Sequence, residues 1–419
     1  MSTTTQPRLS LDIDWVRRQF PAFARTVNGY PAAFLDGPGG TQVPQSVIDA
    51  ISDYLVRCNA NTHGQYVTSR ESDGVIAAAH RAMADFLHCD ADEVVFGPNM
   101  TTLTLALSRA IGRTLKAGDE IVVTALDHSA NVSPWIALEE LGVKIRRVDI
   151  NLDDCTLNLA DLKSKLSQNT SIVAVGYASN AVGTINPVAE ITRLAHEFGA
   201  LVFIDAVHYA PHGLIDVRSL DCDFLACSPY KFFGPHSGVL YGKREKLQLL
   251  KPYKVRPASN SLPEGWETGT QNHECMAGVT AAVDYIASLG YQSFGDGVDR
   301  RSALKRAYDV IHAQERFLTD KLIAGLLVIP GLTVYGITDP ARFDQRVGTV
   351  SLRMKNRTPH DIATCLGDKG LFTWDGNFYA LDLTERLGVE DRGGLLRIGV
   401  LHYNTEEEID RLLNELRIL

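Results

Sequence analysis

The sequence predicts an α/β fold in which a mostly parallel, helix-covered sheet is followed by a smaller α+β C-terminal domain. Three observations carry that prediction. The chain has 419 residues, 45% of them hydrophobic and 22% charged, which is the composition of a folded protein too long for one small core. Short β-rich segments that are apolar nearly throughout recur between helical stretches, as strands covered on both faces must. Beyond about residue 290 this alternation gives way to one long helical stretch and shorter strands.

In chain order, the apolar runs place strands at 94–96, 121–125, 171–177, 201–204, 224–227 and 238–241. Helices are expected between them at 101–114, 134–141 and 187–198, the last stopped by Gly199. The later part predicts a helix over 302–326, strands at 332–335 and 348–353, and a terminal helix from Glu406. The expected division is a large domain over 30–290 and a small domain made of 1–29 plus 291–419, which the helix around 14–20 joins. There is no internal repeat and no low-complexity tract.

A net charge of -9 without any Lys/Arg-rich run speaks against nucleic acid or an anionic membrane face as a partner. Nowhere do about 18 apolar residues run together, so no membrane span is expected. The opening MSTTTQPRLS lacks a basic segment leading into an apolar one, and the expected compartment is the cytoplasm. Seven cysteines (Cys58, Cys89, Cys155, Cys222, Cys227, Cys275 and Cys365) form no C-x-x-C pair and no zinc spacing with histidine. They read as free thiols, most of them small core residues, and no metal is expected.

The chemistry concentrates in Phe203-Ile-Asp205-Ala-Val-His208 and Ser228-Pro-Tyr-Lys231-Phe-Phe-Gly234-Pro235. An apolar strand ending in Asp, then a second one ending in Ser-x-x-Lys, puts an acid and an amine at the carboxyl edge of one sheet, where open α/β sheets bind ligands. Taken singly, Asp205 would be a helix cap and Lys231 a solvated surface lysine. Together they match what pyridoxal 5′-phosphate (PLP) requires, an amine to bond its aldehyde carbon and a carboxylate to keep its ring nitrogen protonated. Thr101, with the amides of Met100 and Thr102, opens a helix just after a strand and offers donors and a positive dipole end to a phosphate, although a bare N-cap would look the same.

Further motifs are Phe34-Leu-Asp36 with Thr41-Gln42 and Pro44, Asn59-Ala-Asn61-x-His63, and Asp127-His128-x-Ala130-Asn131-x-x-Pro134-Trp135. They continue in Ser179-Asn180-x-x-Gly183, Asn186-Pro187-Val188, Glu267-x-Gly269-Thr270-x-Asn272, and Arg397 with Tyr403-Asn404-Thr405-Glu406-Glu407. Over nearly its whole length the sequence resembles the class V aminotransferase-fold PLP enzymes, which include cysteine desulfurases, isopenicillin N epimerase and kynureninase. It is most similar to the cysteine desulfurase-like branch. The resemblance implies the aspartate aminotransferase fold (fold type I), PLP as cofactor and an amino acid as substrate.

Residue by residue, the resemblance implies that Lys231 bonds the cofactor, Asp205 faces its ring nitrogen, His128 stacks on the ring and Asn180 reaches its phenolic oxygen. It assigns the phosphate to Thr101, Met100 and Ser228, with Tyr230 beside them. Thr270 is expected at the phosphate of a partner subunit, which implies a homodimer with shared sites. Arg397 is expected to bind the substrate α-carboxylate, a task suited to a bidentate guanidinium, and His63, Asn180, Trp374 and Tyr379 complete the substrate contacts.

Three positions depart from the desulfurase pattern. His208 stands where desulfurases have Gln, Tyr230 where they have His, and Tyr379 where they carry the loop cysteine that attacks sulfur. A phenol cannot hold a persulfide as a thiolate does, and Cys365, upstream in a helical stretch, reads as packed. The leading expectation is therefore a PLP-dependent lyase acting at the β-carbon, of C–S type. The alternatives are an epimerase, favoured by His208 and using His128 or Tyr379 as its second acid/base, an aminotransferase, or a desulfurase that has found another thiol. A non-catalytic subunit has no need of Lys231, Asp205, His128 and Arg397 together.

Overall fold

A computed structural model describes residues 11–294 and 297–419, so the first ten residues of the expected small domain and residues 295–296 lie outside it. The strands of the larger sheet are β1 (Val94–Gly97), β2 (Glu120–Thr124), β3 (Lys144–Val148), β4 (Thr170–Gly176), β5 (Leu201–Asp205), β6 (Phe224–Cys227) and β7 (Gly238–Gly242). They lie side by side in the order β1-β7-β6-β5-β4-β2-β3. Only β7 runs against its neighbours, and every other adjacent pair is parallel.

Alternation along each strand explains why these segments are apolar throughout. Val173 and Val175 of β4 and Val202 and Ile204 of β5 enter one buried cluster, while Ile172, Ala174 and Phe203 enter another on the opposite face. The main helices are α1 (Ile13–Arg18), α2 (Gln45–Arg57), α3 (Val67–Leu87), α4 (Met100–Gly112), α5 (Val188–His196), α6 (His273–Phe294), α7 (Arg300–Leu327), α8 (Pro359–Asp368) and α9 (Glu406–Ile418). The first cluster is closed by α3, α5 and α6 through residues such as Met83, Ile191 and Val283; the second is closed by α4 through Leu103, Leu107 and Ile111.

A second, antiparallel sheet comprises β8 (Leu332–Tyr335), β9 (Thr349–Met354), β10 (Trp374–Gly376) and β11 (Leu395–Gly399), in the order β8-β9-β11-β10. Val350, Leu352, Leu396 and Ile398 pack with Leu318, Leu322 and Leu326 of α7 and with Ile409 and Leu413 of α9. Helix α7 spans both halves: Ala303 to Ile311 supply the first cluster and Leu318 to Leu326 the small-sheet cluster.

Two local expectations are corrected. The helix expected over 134–141 is one α turn, Ser133–Ile136, that tightens into a 3-10 helix over Ala137–Leu141 and ends at Gly142, whose φ of 79° suits a residue without a Cβ. Strand β3 was not expected, because Lys144, Arg146 and Arg147 give it no apolar run; it forms as an edge strand beside β2. Among the described residues, no helix is long and apolar enough to cross a membrane.

Candidate active site

The carboxyl ends of β2, β4, β5 and β6 point the same way, and the residues just past them floor a cavity of about 650 Å³. Asp205 ends β5, and its Oδ1 accepts the Val207 amide at 2.9 Å. Burial raises its pKa from 3.8 to about 6, although the Lys231 ammonium pulls the other way. Lys231 lies in the turn Pro229–Lys231 after β6, where Nζ donates to the Pro38 carbonyl and sits 4.7 Å from the centre of the Tyr230 ring. Burial, helped by the Arg397 cation, lowers its pKa from 10.5 to about 7 against the attraction of Asp205 and Asp36. An amine with a substantial neutral fraction near pH 7 is a competent nucleophile and base.

His128 follows β2. Its Nδ1 accepts the Ala130 amide at 3.0 Å, which assigns the proton of the neutral ring to Nε2. Burial, with the cations of Lys231 and Arg397, lowers its pKa to about 4, so the ring is uncharged at neutral pH. It stacks on Tyr379 with centroids 5.4 Å apart and planes at 20°. Asn180 follows β4; its Nδ2 donates to the Phe378 carbonyl and its own carbonyl accepts Arg397 Nη1, both at 2.9 Å.

The start of α4 also reaches the cavity, through Asn99, Met100 and Thr101. Here the expectation is corrected, because the Thr102 amide is already donated to the Asn99 side chain at 2.8 Å and is not free for an anion. The Met100 amide points at the Ser228 hydroxyl, 3.4 Å away. Gly238 permits this approach, since a Cβ there would fall 2.3 Å from the Asn99 backbone carbon.

Arg397 arrives from the small sheet. Its neighbours Leu396 and Ile398 pack into the small-sheet cluster, so strand alternation turns Arg397 the other way, into the cavity. Its guanidinium carbon lies 4.2 Å from the centre of the Phe378 ring. His208 also lines the cavity, with Nε2 at 2.9 Å from Thr349 Oγ1, and burial beside His212 keeps its pKa well below 6.5. The Tyr230 ring stacks on His236. Trp374 and Tyr379 stand at the rim, 51% and 72% exposed.

Two expected residues are not brought into this chain's cavity. His63 is exposed, its amide donating to the Asp73 carboxylate at 3.1 Å, and Thr270 is exposed in the loop before α6. Two residues that do belong were read only as marks of the resemblance. Asp127 is buried under the floor, where Oδ1 accepts the Gly176 amide and Oδ2 the Asn131 amide group, both at 2.9 Å. It thereby ties the end of β2 to the end of β4, and burial raises its pKa to about 7. Asp36 feels the charges of Arg397 and Lys231, and burial raises it to about 6. Their place in the motifs was the available signal.

These residues fit PLP. Lys231 suits the aldehyde, Asp205 the ring nitrogen, His128 the ring face, and the Met100 amide with Ser228 and Thr101 the phosphate. Asn180 Oδ1 and Arg397 Nε are buried polar atoms with no hydrogen-bond partner among the described residues, so the cavity has a donor and an acceptor for a ligand still to satisfy.

The family model for class-V aminotransferases matches residues 33–412. The chain belongs to the class-V aminotransferase family. As a class-V member of cysteine desulfurase-like sequence and fold type I architecture, it is a PLP-dependent enzyme. A cysteine desulfurase of Dickeya dadantii (strain 3937) is 32% identical over 418 residues, covering 96% of this chain and 95% of the relative. One from Enterobacter sp. (strain 638) is 33% identical, with 98% of each covered. Among solved structures, the apo cysteine desulfurase of Thermococcus onnurineus NA1 superposes with a TM-score of 0.86 at 26% identity, covering 97% of this chain and 98% of that one. An Escherichia coli cysteine desulfurase superposes with a TM-score of 0.82 at 25% identity over 97% of each chain.

Proposed function

We propose that this class-V enzyme is a lyase that breaks the bond between the β-carbon and sulfur of a cysteine-type amino acid without loading sulfur onto a cysteine of its own. One observation carries the reading: none of the seven cysteines is among the residues that line the cavity. Cys365 sits half-buried on α8, and the rim position beside His128 is Tyr379. The relatives' substrate class supports cysteine, and the absent thiol argues against a persulfide, which needs a thiolate within reach of the substrate sulfur.

Bound at Lys231, PLP supplies the electron sink that weakens the bonds at the substrate α-carbon. Arg397 holds the substrate carboxylate, and its unpartnered Nε gives it a donor to spare. Lys231 Nζ, with its proton affinity lowered to about 7, takes the α-proton and is placed to supply the proton that the departing sulfur takes up. His128 stays neutral and keeps its proton on Nε2. Overall, L-cysteine and water give pyruvate, ammonium and hydrogen sulfide. Epimerisation is less well supported, because His208 is already engaged by Thr349 and kept uncharged by burial.

Incubating the holoenzyme with L-cysteine, with Lys231→Ala as the blank, tests the reading. Pyruvate without alanine or sulfane sulfur is expected. Alanine with sulfane sulfur would restore desulfuration through another thiol, and solvent exchange of the α-hydrogen without consumption would restore the epimerase.

The same reading makes the chain a homodimer whose His63 and Thr270 serve the partner's cavity, since both are exposed and neither lines its own. Helix α2, the segment after it and the start of α3 also leave Ile48, Leu55, Val56, Tyr66 and Val67 exposed. Sedimentation should give twice the mass of one chain; a monomer would remove both residues from the site.

A further inference from the structure

Three aromatic side chains surround the groups that would hold the amino-acid head. The Phe378 ring lies 4.2 Å from the Arg397 guanidinium carbon, and the Tyr379 ring stacks on His128. Trp374, opposite Arg397 in strand register, lies over Gly39, where an added Cβ would come within 2.6 Å of the indole Nε1. Gly39 adjoins Pro38, whose carbonyl accepts Lys231 Nζ. The carboxylate site and the imidazole are thus each flanked by a ring, and Trp374 covers the residue next to the carbonyl that holds the lysine.

The arrangement is held against a backbone cost. Phe378 and Tyr379 take φ of 57° and 58°, the left-handed region that bulky side chains avoid. Hydrogen bonds fix them there: Asn180 Nδ2 donates to the Phe378 carbonyl at 2.9 Å, and the amide and hydroxyl of Ser129 donate to the Tyr379 carbonyl at 2.6 and 2.8 Å. A loop that merely covered the cavity would use glycine at such angles. Yet within a single chain Trp374 and Tyr379 remain 51% and 72% exposed. Cysteine itself carries a single heavy atom beyond the β-carbon and would leave these ring faces wet. An aromatic group on the sulfur would cover them, offset or edge to face.

We propose that the preferred substrate is an S-aralkyl- or S-aryl-L-cysteine whose ring seats among Trp374, Phe378 and Tyr379. This rests on the elimination reading and narrows it. The β-carbon–sulfur bond breaks with its electron pair going to sulfur, and the departing thiolate takes up a proton. Water converts the remaining three-carbon unit to pyruvate and ammonium, so the products are a thiol, pyruvate and ammonium, with no external oxidant or reductant.

The test titrates the holoenzyme with S-benzyl- and S-methyl-L-cysteine, following the cofactor's visible absorption for dissociation constants and pyruvate for turnover. Both leaving groups are alkanethiolates, so the comparison isolates the ring. S-benzyl-L-cysteine is expected to bind about tenfold more tightly, and Tyr379→Ala and Trp374→Ala should each remove most of that preference. Equal dissociation constants in the unsubstituted enzyme overturn the proposal, and if both compounds then yield pyruvate the elimination reading stands without it. Tight, ring-dependent binding with no pyruvate from either compound upholds the aromatic seat and overturns elimination.

Discussion

The floor of the cavity and its rim hold their functional side chains by different means. At the floor, Asp205 and Lys231 follow directly from strands packed on both faces, and burial displaces their pKa values to about 6 and about 7. At the rim, Trp374 and Tyr379 are largely exposed, and what is displaced is the backbone, at Phe378 and Tyr379. The floor therefore stores its cost as desolvation of charge, which controls proton affinity and hence chemistry. The rim stores its cost as dihedral strain, on the order of 1–3 kcal/mol per residue, which controls where ring faces stand and hence which molecule enters.

Substitutions that touch one region and not the other should separate the two. The largest effect is expected from Asp205→Asn, which keeps the shape of the floor and removes its charge. The catalytic rate should fall by about 10²-fold or more, with a loss below tenfold showing that the carboxylate is dispensable. In protein stripped of PLP the same substitution should stabilise the fold. Asp205's pKa is raised on folding, so its contribution is fully present below about 3.8 and is lost as pH rises through about 6. Above that window the ionised carboxylate opposes folding by up to about 3 kcal/mol, and Asp205→Asn escapes this. Melting curves of the two apoproteins should diverge as pH rises from about 4 to about 8; a constant gap would contradict the buried-charge account.

The smallest effect belongs to the rim. Ser129→Ala removes the hydroxyl bond to the Tyr379 carbonyl and leaves the amide bond in place. Loss of one such bond should raise KM about two- to threefold with kcat unchanged. An equal fall in kcat would mean that the loop takes part in the chemistry after all.

What the sequence made legible follows the same division. The strands before Asp205 and Lys231 were readable because two-sided burial leaves an unbroken apolar run, and chemistry at a strand end is local in sequence. Strand β3 escaped because an edge strand with Lys144, Arg146 and Arg147 has no such run. The start of α4 was read as a phosphate site at Thr101 with the Met100 and Thr102 amides, whereas the Thr102 amide is taken by the side chain of Asn99, which closes the first turn. Asp36, Asp127 and Ser129 act through partners reached only after folding: Asp36 beside Arg397 and Lys231, Asp127 across to Gly176, and Ser129 on Tyr379. No local pattern carries such pairings. His63 and Thr270 were assigned by resemblance alone and lie outside the cavity of their own chain.

The absence of cysteine from the cavity lining also bears on how this enzyme would age under oxidants. Its working groups are an amine, two carboxylates, imidazoles and a guanidinium, none of which climbs the ladder from thiolate to sulfenic, sulfinic and sulfonic acid. The sulfur-bearing residue among those that line the cavity is Met100, 4% exposed at the start of α4. Its oxidation would place a polar sulfoxide beside the expected phosphate site, damage of a kind that methionine sulfoxide reductases reverse. A rim built on a phenol rather than a thiol thus leaves the described cavity lining without a reactive thiol of its own.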